Sequence, residues 1–188
     1  MLMKYCQVSR TGEVTQPPLA QLTYGALLGG RTSMVTDSSN SAKKALTVAI
    51  RYGAVRRQFS SAGNELETQL LDYPIHQRRL MPLLAQAIAV GFTALILEEM
   101  LVDLTEALET LEPNDPNLQE VLDKLKETHA TSAGLKAFCT WNTLECIEWC
   151  RQSCGGHGYS AYSGFPSMYN DFVRPSSHLH TLSHGNEW

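Results

Sequence analysis

The residues best suited to chemistry in this chain are gathered in Gln152-Ser153-Cys154-Gly155-Gly156-His157-Gly158-Tyr159, where three glycines surround one histidine. The segment closes a long helical pattern. Glycine reaches positive φ without a Cβ clash, so a helix can stop here, and adjacent glycines let the backbone approach a ligand closely. The segment therefore reads either as a cofactor contact or as a glycine cap followed by a loop. A second group, Arg56-Arg57-Gln58-Phe59, closes an earlier helical pattern. Its guanidinium groups can grip phosphate, but at a helix C-terminus they also simply oppose the macrodipole.

Cys146, Cys150, Cys154 and His157 are metal-binding types, yet zinc sites usually pair cysteines across a turn rather than along one helix. The five cysteines, with Cys6 and Cys139, are odd in number. Four fall on one helical stretch, so they read as reduced thiols of an intracellular protein and not as a disulfide framework. His129, beside an apolar stripe, reads as a hydrogen-bonded interior histidine.

Those groups must be positioned by helices. The chain has 188 residues, 43% of them hydrophobic, enough for one soluble domain with a substantial core. A formal charge of −4 argues against nucleic acid as the main partner, since phosphate binding needs a dense basic face. Residues 1–10 lack the apolar run of a signal peptide, no transit-peptide pattern comes after them, and the final Gly185-Asn186-Glu187-Trp188 is not a Ser-Lys-Leu address.

Residues 1–22, with Gly12 and Pro17-Pro18, read as an irregular lead-in. A first long helix is expected over about 23–59, with Thr32 or Ser33 as a candidate cap and a turn at Ser61, Gly63 and Asn64. A second is expected from Asp72 to Leu111, with Pro74 in its first turn and Pro82 a kink or the true start. Its apolar run Leu83–Leu97 is about fifteen residues, short for a membrane span, and reads as buried on several sides. The acidic residues Glu98, Glu99, Asp103, Glu106 and Glu109 give a solvated face.

The turn Pro113-Asn114-Asp115-Pro116-Asn117 starts a third helix. Its stripe runs from Leu118 through Val121, Leu125, Thr128, Ser132 and Cys139 to Cys146 and Cys150. A short helix is expected over Ser167–Val173. From residue 174 to 188 neither period appears, so a poorly ordered tail with His178, His180 and His184 is expected.

Three long antiparallel helices, an Arg-x-Gln-Phe end on the first and Gln-x-x-Gly-Gly-His-Gly-Tyr at the end of the third, resemble the acyl-CoA oxidases, the oxygen-using branch of the acyl-CoA dehydrogenase family. The resemblance also covers Ala49-Ile50-Arg51-Tyr52, Gln77–Ala85 and Ser132–Phe138, and extends from Met1 to about Phe172. It implies an all-α, up-down helical bundle over residues 23–173, three long helices with the fourth missing, flanked by the lead-in and a divergent tail.

It further implies FAD as cofactor. Arg56 and Gln58 match residues that contact the flavin diphosphate, with Phe59 beside them. Gln152 and Gly156, with Gly155 and His157 around them, match those that hold its adenosine-diphosphate part across a dimer interface. In such enzymes a glutamate takes the α-proton of a fatty acyl-CoA while hydride passes to flavin. A trans-2-enoyl-CoA and hydrogen peroxide result, in the first step of peroxisomal β-oxidation.

Two departures accompany the resemblance. The stretch Pro175–Thr181, where that glutamate would fall, holds none, and Glu187 stands too late; the helical and β domains that precede this one in the family are also absent. The expectation is a catalytically inactive piece of an oxidase with no catalytic residue of its own, pairing with itself or with full-length enzyme. The rival expectation is a non-catalytic dimerisation module. The missing helix should leave part of Leu83–Leu97 uncovered.

Overall fold

In the computed structural model, the structure describes residues 7–15, 20–60, 66–110 and 116–177. The turn at 61–64, part of the 113–117 turn, Cys6, Pro17-Pro18, the tail histidines and Glu187 lie outside these residues. Within the expected lead-in, β1 (Gln7–Val8) and β2 (Val14–Thr15) pair antiparallel in a small hairpin. The helices are α1 (Ala20–Val55), α2 (Pro74–Thr110), α3 (Leu118–Ser153), the single turn α4 (Gly156–Tyr159) and α5 (Phe165–Ser177). They form an all-α bundle in which α1 packs on both α2 and α3, and α5 lies across α3.

The first helix begins before the expected caps. Thr32 and Ser33 stand inside α1, with the Ser33 hydroxyl donating to the Gly29 carbonyl at 3.0 Å. Gly25, Gly29 and Gly30 weaken intrinsic helicity there. Tertiary burial offsets that weakness, because Leu28 docks against Leu104, Val121 and Leu125. Pro82 lies within α2, eight residues past its start at Pro74. Asn117 stands at the N-cap position of α3, and its carbonyl accepts from Val121 N at 3.1 Å.

The core has three layers along the bundle. One end holds Leu28, Leu104, Val121 and Leu125; the middle holds Val35, Val90, Ala94, Leu97 and Cys139. The other end joins Ala42, Ala45, Leu46 and Ala49 of α1 to Leu80, Ile147, Cys150 and, from α5, Phe165, Met168 and Phe172. The alanines let the backbones approach closely, and hydroxyls bridge the gap. Ser39 Oγ donates to the Ala87 carbonyl at 3.1 Å, and Thr143 Oγ1 to the Ser38 carbonyl at 3.1 Å, both buried. The stripe read along α3 is the face that packs, with Val121, Leu125, Thr128, Ser132, Cys139, Thr143, Cys146 and Cys150 all buried.

Two expectations for α2 are corrected. Its 37 residues include an 18-residue window of mean hydropathy 2.1, so the helix is long and apolar enough to cross a membrane. Only 28% of that window is buried, so the run is not enclosed on several sides. Leu80, Ala87, Val90, Ala94, Leu97 and Leu104 face the core, whereas Ile88, Phe92, Leu95 and Ile96 are exposed. The fifth helix also differs from expectation, starting at Phe165 and continuing to Ser177, four residues into the tail. Its buried residues Phe165, Met168 and Phe172 recur at helical spacing and seal the end where α1 and α3 finish.

Candidate functional site

The two motifs meet at one end of the bundle. Helix α1 stops at Val55, so Arg56 and Arg57 lie just beyond its last turn rather than within it. Past that turn the backbone is extended and held by a facing segment: Gln58 N donates to Thr68 O at 2.9 Å, Thr68 N to Phe59 O at 2.8 Å, and Leu70 N to Arg56 O at 2.9 Å. Gln69 Nε2 donates to the Ala54 carbonyl at 2.8 Å, satisfying an acceptor that the helix end leaves open. Tyr73 OH donates to the Gln58 carbonyl at 2.9 Å.

This geometry separates the two arginines. Alternate residues of an extended segment share a side, which groups Arg56 with Gln58 and sets Arg57 apart. Arg57 Nη1 donates to the Glu67 carbonyl at 2.9 Å and serves the local fold. Arg56 is exposed, and its guanidinium meets no carboxylate among the described residues. Phe59 is 68% exposed, and its φ of 61° turns the chain into the next segment.

Across from it, α3 ends as its three glycines direct, each for a different reason. Gly155 takes φ 57° and ψ −137°, a conformation costly for any residue with a Cβ. Gly156 opens α4, and a Cβ there, as at Gly155, would meet nothing within 4 Å. Gly158 is buried, and a Cβ on it would lie 2.0 Å from the Arg151 carbonyl oxygen. The pair Gly155–Gly156 thus leaves open backbone, while Gly158 is demanded by packing. Gln152 is exposed, and its Nε2 donates to Glu148 Oε1 at 2.8 Å. Arg151 holds the same carboxylate from two nitrogens, at 2.7 and 2.6 Å, which keeps Glu148 below the ordinary carboxylate range.

The link between the motifs is Tyr52, a residue that sequence reasoning does not single out as part of a site. Its hydroxyl stands 3.4 Å from His157 Nδ1 with ring centroids 5.6 Å apart, and its carbonyl accepts from Arg56 N at 2.8 Å. Tyr52 therefore joins His157 to the turn that carries Arg56. In the sequence Tyr52 stands within the Ala49-Ile50-Arg51-Tyr52 stretch of the resemblance, with no site role attached to it, one helical turn before Arg56.

The remaining candidates are structural. Cys139, Cys146, Cys150 and Cys154 are free and buried. The hydrogen bond with Cys146, together with burial, pushes the Cys150 thiol far up, and burial pushes Cys154 up to about 11. Among the described residues no group of three or more His, Cys, Asp and Glu side chains could hold a metal. His129 lies 3.2 Å from Arg31 Nη1 through Nδ1, and burial, with the Arg31 charge, lowers its pKa below the ordinary 6.5.

The long helices thus form an up-down bundle whose first and third members end at one shared corner, which carries Arg56 and the Gly155–Gly156 pair. The acyl-CoA oxidase C-alpha1 domain family matches residues 24–177, and the chain belongs to it. Among curated relatives, acyl-coenzyme A oxidase 3 of Yarrowia lipolytica is 51% identical over 174 residues, covering 92% of this chain and 25% of that protein. Among solved structures, acyl-CoA oxidase 1 of Yarrowia lipolytica superposes with a TM-score of 0.82 at 49% identity, over 93% of this chain and 26% of that one. Acyl-CoA oxidase-2 of Caenorhabditis elegans, bound with FAD, ascaroside-CoA and ATP, gives 0.81 at 31% identity, over 95% and 26%. The chain spans about a quarter of the length of these relatives.

Proposed function

We propose that this chain is the dinucleotide-gripping helical domain of an FAD-dependent fatty acyl-CoA oxidase. The observation that carries the reading is the 3.4 Å contact of Tyr52 with His157, which sets Arg56 and Gln58 at the same corner as Gln152, Gly155 and Gly156. The corner suits a diphosphate: Arg56 offers a guanidinium fork without a competing carboxylate among the described residues, and Gly155–Gly156 present backbone without side chains. Gln58 and Gln152 add amides, Phe59 an exposed ring, and His157 a further nitrogen at the rim. That a Caenorhabditis elegans relative binds FAD supports the assignment of the group.

In this reading Arg56 neutralises phosphate charge, the glycine pair admits close approach, and Tyr52 fixes the distance between the two. Bound flavin supplies the redox chemistry, accepting hydride from a fatty acyl-CoA and passing electrons to oxygen, to give trans-2-enoyl-CoA and hydrogen peroxide. The setting is peroxisomal β-oxidation, with the flavin between two subunits of a homodimer or between this chain and a full-length oxidase. The chain itself contributes binding and no proton-abstracting base, since Pro175–Thr181 has no carboxylate. By itself it does not turn over acyl-CoA.

Titration of the purified chain with FAD, monitored by flavin polarisation, tests this. Binding is expected, and Arg56→Ala should weaken it roughly tenfold, as the loss of a charge-assisted contact implies. No binding, or binding indifferent to Arg56→Ala and Gly156→Ala alike, would sink the assignment of the corner. Peroxide release on adding acyl-CoA would overturn the non-catalytic part alone.

A further inference from the structure

Gln152 stands at the edge of the corner with its amide already committed on one side. Its Nε2 donates to Glu148 Oε1 at 2.8 Å; the same oxygen takes Arg151 Nη2 at 2.6 Å, and Glu148 Oε2 takes Arg151 Nε at 2.7 Å. The bidentate guanidinium keeps that carboxyl below the ordinary carboxylate range and therefore ionised, so it offers only acceptors. An acceptor-only neighbour admits the amide nitrogen and rejects the amide oxygen. The chemistry of Glu148 thus sets the polarity of Gln152, with the nitrogen toward the carboxylate and Oε1 away from it.

What Oε1 can meet follows in turn. It takes no donor among the described residues, and the main-chain carbonyl of Gln152 is already used by Gly155 N at 3.0 Å. A carbonyl oxygen accepts from an O–H or N–H and repels a phosphate oxygen. The space beside it has the same preference. An open groove of about 410 Å³, lined by Glu145, Glu148, Trp149, Gln152 and Tyr169 among others, has no lysine or arginine among the described residues that line it. Two arginines that touch these liners are spent on them, Arg151 on Glu148 and Arg79 over the Trp149 ring, 4.7 Å from its centroid. Glu145 accepts from Trp149 Nε1 at 3.2 Å. Aromatic faces with acceptors suit a neutral, planar, donor-bearing group, whereas Arg56 and the open Gly155–Gly156 backbone suit an anion.

We propose that Glu148 is a positioning residue that holds the Gln152 amide with its oxygen toward the ligand. Gln152 then reads a hydrogen-bond donor on the nucleoside end of the dinucleotide, a ribose hydroxyl or the purine amino group, while Arg56 takes the diphosphate. This role rests on the flavin reading of the corner and gives the bound dinucleotide a direction: nucleoside toward α3 and α5, phosphates toward the end of α1.

Flavin polarisation with the purified chain and three ligands is the test: FAD, the analogue whose adenosine lacks both ribose hydroxyls, and the analogue whose purine lacks the 6-amino group. The wild-type chain should bind one analogue roughly fivefold more weakly than FAD, the loss of one hydrogen bond to a neutral group, and the analogue that suffers names the donor. Gln152→Met should weaken FAD by a similar factor and no longer distinguish that analogue. Glu148→Met/Arg151→Met, which leaves the net charge unchanged, should erase the same distinction with Gln152 intact, because the released amide turns freely; far-UV circular dichroism checks that its helices remain. Independently of flavin, the Gln152 side-chain amide protons should exchange with solvent slowly in the wild-type chain. Fast exchange there overturns the role whatever the variants do. If Arg56→Ala weakens FAD while all three ligands bind alike, or the double variant keeps the wild-type distinction, the role of Glu148 falls and the corner stands. If FAD does not bind, or binds indifferently to Arg56→Ala, the corner falls and this direction with it.

Discussion

Replacing Gly158 by alanine tests whether the glycine corner is built as described, because the three glycines carry different loads. A Cβ at position 158 would stand 2.0 Å from the Arg151 carbonyl oxygen, 2.8 Å from its carbon and 3.2 Å from Arg151 Cγ. Two of those atoms are backbone, and the same carbonyl accepts from Cys154 N at 3.2 Å to close the last turn of α3. Neither side can yield by side-chain rotation. The short helix must move away by about 1 Å, an overpacking of the kind that costs about 2–3 kcal/mol. For a chain of this size that is a fall in melting temperature of roughly 5–10 °C. By contrast Gly155→Ala meets only the conformational penalty of φ 57° and ψ −137°, about 1–3 kcal/mol, and Gly156→Ala meets neither. Differential scanning calorimetry of the three variants should place Gly156→Ala nearest the parent and the other two below it. If Gly158→Ala melts within a degree or two of the parent, or level with Gly156→Ala, the close packing of α4 on α3 is wrong.

The half-buried histidines, the buried thiols and the segment contacts give further outcomes. Burial, aided by nearby arginines, lowers the pKa of His76 and His129 below the ordinary 6.5, so the folded chain resists protonation that the unfolded chain accepts. Stability should be full above pH 6.5 and decline as pH falls below it, and His129→Gln should flatten the melting-temperature profile between about pH 7.5 and 5.5; an unchanged slope would refute the assignment. The four buried thiols should stay unreactive to a maleimide at about pH 8 in the folded chain and react on unfolding, since burial holds Cys139 and Cys154 protonated and screens all four. Rapid labelling of Cys146 or Cys150 in native buffer would contradict the packing. Gln69→Ala should cost about 1 kcal/mol in chemical denaturation through the lost bond to the Ala54 carbonyl, and loosen the segment that holds Arg56. A denaturation midpoint that does not move would show that water replaces the amide without penalty.

How much of the fold is legible in the sequence depends on whether a residue's role is local or shared. The face of α3 can be read directly, because small and apolar residues alternate with charges at helical spacing from Val121 to Cys150. Helix α2 cannot be read so. With apolar residues on nearly every side from Leu83 to Leu97, no period distinguishes the buried Ala87, Val90 and Ala94 from the exposed Ile88, Phe92 and Leu95. Only the positions of α1 and α3 decide between them. The start of α1 is hidden for the opposite reason: its glycines argue locally against helix, and the burial of Leu28 against residues about eighty to a hundred positions away overrides them.

At the site the same division separates what a resemblance carries from what geometry adds. Arg56 and Arg57 are equivalent as sequence, two cations at a helix end. They part company because Thr68, Gln69 and Leu70 pair with this segment, turning Arg57 to the Glu67 carbonyl and leaving Arg56 without a carboxylate among the described residues. Similarly, Gly155, Gly156 and Gly158 read alike until α4 folds back on α3. One then answers to backbone torsion, one to open space and one to a carbonyl 2.0 Å away from its missing Cβ. A glycine-rich helix end is therefore only partly a ligand signature: at Gly158 the requirement would stand with no ligand at all. Gly156 is the position where neither torsion nor packing demands glycine, and so the one where a loss of flavin affinity on substitution would speak for binding rather than for folding.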